Sequence, residues 1–94
     1  MTAEISAQIS ARIDLANQLI RRMERISADS VWAHRSSGYR GSLFKWIEHA
    51  ESALQNHTEM PIDDIEHYDQ LLEISLRLLE NAAREKIQRR GFQR

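Results

Sequence analysis

The sequence predicts an all-α fold, a three-helix up-down-up bundle with long helices. Three observations carry that prediction. One proline and three glycines in 94 residues leave little turn chemistry. β-branched runs are lacking, so strands have little support. Apolar residues recur every three or four positions along most of the chain, the period of a helix buried on one side.

The first helix is read from Ile5, Ile9, Ile13, Ala16, Ile20 and Met23, with Leu19 and Ile26 widening the stripe. Thr2 is placed to cap it. The last helix is read from Ile65, Tyr68, Leu72, Leu76, Leu79, Ala83 and Ile87. Pro61 stops what precedes it, Asp63 with Glu66 matches a capping box, and Gly91 is a natural stop.

The middle segment, WAHRSSGYRGSLFKW, carries conflicting signals. Gly38 and Gly41 are poor helix formers and suggest a loop over 36–42. Yet Trp32, Ser36, Tyr39, Leu43, Trp46, Ile47, Ala50 and Leu54 keep one helical phase throughout, which a loop would not do. At about 100° per residue, Trp32 falls opposite the Ile5–Met23 stripe, so the chain should reverse near Ser27–Ser30 with Asp29 or Ser30 as the next cap. The predicted helices are about 3–27, 30–56 and 63–90, each roughly 40 Å long, with residues 91–94 a short basic tail. The competing reading runs the first helix on to about residue 36. In a continuous second helix, Ala33, Ser37 and Gly41 form a ridge of small residues that would let another backbone approach closely.

A hydrophobic fraction of 41% with 29% charged residues is that of a folded chain rather than a disordered one. Without cysteine there is no disulfide framework or thiolate metal site. The start MTAEISAQIS lacks a basic, apolar leader pattern, and no apolar run approaches the ~18 residues of a membrane span. A cytoplasmic protein is expected, with no membrane partner.

Helix three carries more apolar surface than one stripe needs. Leu71, Ile74 and Leu78 lie at i, i+3 and i+7, well around from the main stripe. They are the expected interface of a homodimer that forms a larger bundle.

Charge is divided along the chain. Folded up-down-up, residues 18–40 and 80–94 share one end, with ten basic and four acidic side chains, net +6. The rest holds three basic and ten acidic, net −7, which together give the overall −1. Much of this complements the helix dipoles. Arg35 and Arg40 do not, since they begin a helix whose N-terminus disfavours cations. A basic pole built from Arg21, Arg22, Arg35, Arg40, Arg89 and Arg90 is a candidate site for nucleic acid or another polyanion.

No glycine-rich phosphate loop, nucleophile elbow or H-E-x-x-H motif is present. One carboxylate pattern stands out: Glu48-His-Ala-Glu51, then Glu66-His-Tyr-Asp69 after fourteen residues. It resembles the E-x-x-E … E-x-x-D signature of the all-α, MazG-type nucleotide pyrophosphohydrolases. That resemblance implies a Mg²⁺ site built by Glu48, Glu51, Glu66 and Asp69 on two antiparallel helices, for attack on a nucleoside triphosphate. The likeness covers only about residues 46–80, and Tyr68 stands where that family has a small residue.

The leading functional expectation is a small non-catalytic interaction or regulatory module that self-associates and meets an unknown protein partner. A Mg²⁺-dependent nucleotide hydrolase and a polyanion binder are the alternatives.

Overall fold

The computed structural model describes residues 2–92, and side chains as far as Ile87. Three helices follow one another: α1 (Ala3–Glu24), α2 (Val31–Asn56) and α3 (Ile62–Phe92). Each packs on its neighbours in an elongated bundle of 56 × 20 × 18 Å. None of the described helices is long and apolar enough to cross a membrane.

Local signals set most of the boundaries. Thr2 Oγ1 accepts a hydrogen bond from the Ile5 N–H at 3.2 Å and caps α1. α1 stops at Glu24, three residues short of the predicted end. Its last turn tightens, so that the N–H groups of Arg25 and Ile26 bond three residues back, to Arg22 and Met23. Ser30 caps α2 by accepting from the Trp32 N–H at 3.1 Å. A first helix reaching residue 36 is therefore excluded, and residues 36–42 are helix. His57 ends α2 in the left-handed conformation, φ 53°. The Thr58 N–H then bonds to the Ala53 carbonyl and the His57 N–H to the Leu54 carbonyl, the pair of a Schellman motif.

Two expected boundaries of α3 are corrected. The Pro61 carbonyl already accepts from the N–H groups of Asp64 and Ile65, so α3 begins at Ile62 and Asp63 cannot be its cap. Asp63 and Asp64 sit in the first turn, where their charges favour the dipole without a capping box. Gly91 does not stop the helix, which runs to Phe92. The rest of the expected tail, residues 93–94, lies outside the described residues.

The core follows the predicted stripes of α1 and α2, except that Ile5 is 42% exposed and Trp32, Tyr39 and Leu54 are only partly buried, and it differs on α3. Ile9, Ile13, Ala16, Leu19, Ile20 and Met23 meet Leu43, Trp46, Ile47 and Ala50. On α3 the buried line is Tyr68, Leu71, Ser75 and Leu78. Leu71 and Leu78, at 5% and 4% exposure, are core residues rather than a dimer seam, and only Ile74 of that trio reaches solvent. Leu76 and Ile87, expected inside, are 47% and 70% exposed. The reason is that α3 faces two helices, and its buried line runs between them. Ser36 of α2 and Ser75 of α3 are both fully buried.

The ridge of small residues is also corrected. Ser37, Gly38 and Gly41 face solvent, and a Cβ built on either glycine meets nothing within 4 Å. Among the described residues no backbone of a neighbouring element approaches the two glycines. Gly38→Ala and Gly41→Ala should each raise stability by about 0.5–1 kcal/mol, read as a higher denaturation midpoint in urea.

Two aromatic side chains fix the helices against one another. Trp46 Nε1 donates to the Asp64 carbonyl at 2.9 Å, joining α2 to α3. The Tyr68 hydroxyl donates to the Arg12 carbonyl at 3.1 Å, joining α3 to α1. The two rings lie 4.4 Å apart. Burial pushes the Tyr68 hydroxyl above its ordinary pKa; Arg12 pulls it down and Asp69 pushes it up. A folded-state value above the unfolded one gives stability that is complete below about pH 10 and is lost as the pH rises further. Tyr68→Phe should cost about 1 kcal/mol at neutral pH. It should also flatten the loss of stability above pH 10, measured by urea denaturation across pH.

Candidate functional site

The α1–α2 turn and the far half of α3 meet at one end of the bundle. Ser30 joins them: its hydroxyl caps α2 and donates to Glu85 Oε2 at 3.1 Å. Beside it, α1 and α3 leave an open groove of about 470 Å³. Ile26, Leu79, Ala82 and Ala83 give it an apolar lining, and Arg22, Arg25 and Lys86 give it positive charge.

The groove belongs to a longer apolar face. The Tyr68–Arg12 bond marks which flank of α3 is turned toward α1, and which flank of α1 toward α3. At about 100° per residue, Leu15, Leu19, Arg22 and Ile26 follow Arg12 on that flank of α1. Leu72, Leu76, Leu79 and Ala83 follow Tyr68 on that flank of α3. The two helices run parallel and climb equally, so Leu15 and Leu19 come level with Leu72 and Leu76, and Ile26 with Ala83 in the groove. α1 and α3 are the least closely packed of the three pairs. Leu15 (37% exposed) and Leu76 are left open to solvent along this seam, Leu72 and Leu79 are half-covered, and Ile87 is exposed on the same flank of α3 beyond the end of α1.

The predicted anion-binding residues divide. Arg22 joins the groove. Arg21 is exposed on the last turn of α1. Arg35 lies over the Trp32 ring, 4.9 Å from its centroid. Arg40 reaches across to Glu24 of α1 at 3.9 Å. These two cations, badly placed for the dipole of α2, thus have partners of their own. Arg89 and Arg90 lie outside the described side chains. Arg25 and Lys86 were not in the predicted set. Their signal was spacing: Arg22 and Arg25 are one turn apart on α1.

The carboxylate pattern does not assemble. Glu48, Glu51, Glu66 and Asp69 are all exposed. Among the described residues no three His, Cys, Asp or Glu side chains converge on a point that would hold a metal ion. Glu66 points away from the buried side of α3, so it cannot meet Glu51 across the interface. Glu48 instead lines a shallow hollow at the α2–α3 turn with Glu59, Asp64 and Met60, where His49 Nδ1 stands 4.0 Å from Asp64. Within one chain the described residues do not bring together the Mg²⁺ arrangement that the sequence resemblance implied.

No protein-family model matches the chain, and neither does any curated protein or solved structure.

Ser30 organises this end of the molecule. Ser30→Ala should cost about 1–2 kcal/mol, read by chemical denaturation. Ser30→Asp should recover only part of that, since it restores the cap but sets a second carboxylate against Glu85.

Proposed function

We propose that this protein is a small helical interaction module, and that its working surface is the α1–α3 face with the basic groove at one end. One observation supports this above the others. Apolar side chains on the two least closely packed helices form a partly uncovered line, with Leu15 and Leu76 open and Leu72 and Leu79 half-covered, that ends among cations with no ion-pair partner among the described residues. Exposed leucines scattered singly would need no explanation, but a contiguous apolar line on a chain of this size marks a docking surface. Its shape suits an amphipathic helix laid along the seam between α1 and α3. Arg22, Arg25 and Lys86, which have no ion-pair partner among the described residues, would favour acidic groups at that end of the helix.

Methyl-resolved NMR tests the reading. The probes are a synthetic amphipathic helix bearing acidic residues at one end, its charge-reversed counterpart, and the protein itself over a concentration series. Shifts concentrated at Leu15, Leu72, Leu76, Leu79 and Ile87, stronger with the acidic peptide or with rising protein concentration, support the proposal. Unchanged methyl resonances under all three conditions would overturn it.

A further inference from the structure

We infer that the occupant of the α1–α3 face is a second copy of this chain, laid antiparallel across a two-fold axis that passes close to Leu76. The inference rests on the reading of that face as a docking surface and names what docks there.

Surface area gives the first reason. The chain exposes 6842 Å². A compact monomer of its 11.0 kDa mass would expose roughly 5600 Å². The excess, roughly 1200 Å² over the whole chain, follows from the elongated 56 × 20 × 18 Å shape, whose long flanks are large enough to supply the ~800 Å² that each partner contributes to a standard interface. The bundle is long and thin, so a side-by-side copy covers the most surface with the least new loop or tail.

Charge gives the second reason and fixes the direction. Along this face the basic end carries Arg22, Arg25 and Lys86 against the single carboxylate Glu85, whereas the opposite end carries Glu4 and Asp69, both exposed, against the single cation Arg12. A parallel copy would set like charges together at both ends. An antiparallel copy brings each basic groove toward the acidic end of its neighbour, and does so twice under one symmetry operation. The axis then falls midway along the face. Leu76 is the exposed apolar residue nearest the middle of α3 (Ile62–Phe92). Leu76 of one copy would meet Leu76 of the other, and Ile87 would approach Ile65 of the other copy. Leu71 and Leu78 take no part, being buried within each chain.

The described chain has no cysteine, so a single introduced thiol reports its own neighbourhood. Leu76→Cys should form an interchain disulfide under mild oxidation, because only residues at the axis bring two Cα atoms within about 7 Å. Ile87→Cys should not link to itself, since the two positions would stand roughly 30 Å apart. A mixture of Ile65→Cys and Ile87→Cys chains should give the mixed dimer. In sedimentation equilibrium the wild type should have twice the chain mass and dissociate as salt is raised. Leu76→Glu should be monomeric with unchanged helical circular dichroism. A monomeric wild type at millimolar concentration overturns the inference. So does self-linking of Ile87→Cys in preference to Leu76→Cys, which would mean a parallel arrangement. Seating of the acidic peptide on a strictly monomeric protein overturns the second copy but leaves the docking face standing. Failure of both measurements removes the face as well.

Discussion

The contact between Trp46 and Tyr68 holds the arrangement on which everything else depends. A helical stripe can slide or rotate on its neighbour and still bury leucines. A directed hydrogen bond cannot. Trp46 ties α2 to the first turn of α3 through the Asp64 carbonyl, and Tyr68 ties α3 to α1 through the Arg12 carbonyl. The two rings touch, so the ties act as one connection among all three helices. Both side chains are nearly fully buried, and each polar atom has its partner, as burial in a core demands. This connection sets the levels at which α1 and α3 run side by side, and so decides which residues meet along their shared face.

At the other end of the bundle a second, smaller connection works by electrostatics and capping. Ser30 ends the turn, starts α2 and reaches Glu85 on α3. Between these two fixed points α1 and α3 are left less closely packed, and their facing flanks open into the groove. The charges around that groove have a simple local origin. Arg21 and Arg22 complement the C-terminal dipole of α1, while Asp63 and Asp64 complement the N-terminal dipole of α3. Because α1 and α3 run parallel, those local preferences add up to two poles instead of cancelling. The ion pairs recorded are exposed or at the limit of contact, and such pairs contribute little stability. The poles therefore matter more for what approaches the molecule than for what holds it together.

The sites read from sequence fared unevenly, and each for a physical reason. Glu48, Glu51, Glu66 and Asp69 matched a spacing, but spacing along one helix says nothing of where its partner helix points. Arg35 and Arg40 were recognised as misplaced for a helix dipole. Their partners, Trp32 one turn away and Glu24 on another helix, explain how they are tolerated. Leu71 and Leu78 were judged surplus because the hydrophobic period of α3 admits two stripes. Packing against two helices at once turned the Tyr68, Leu71, Ser75 and Leu78 side inward and buried Ser75 although its side chain is polar. The surplus is real, but it belongs to Leu76 and Ile87 on the opposite flank.

The sequence by itself determined the elements: three helices, the cap at Thr2, the reversal near Ser27–Ser30, and most of the buried stripes of α1 and α2, while the structure chose Ser30 over Asp29 and helix over loop at 36–42. These elements follow from local forces, namely helical periodicity, capping groups and the side that an isolated helix must hide. Tertiary structure alone decided the rotation of α3, because that helix packs on two neighbours at once and its widest apolar surface could turn either way. It also decided the seam between α1 and α3, which exists only because residues some fifty positions apart are brought level by a tyrosine hydroxyl and a carbonyl.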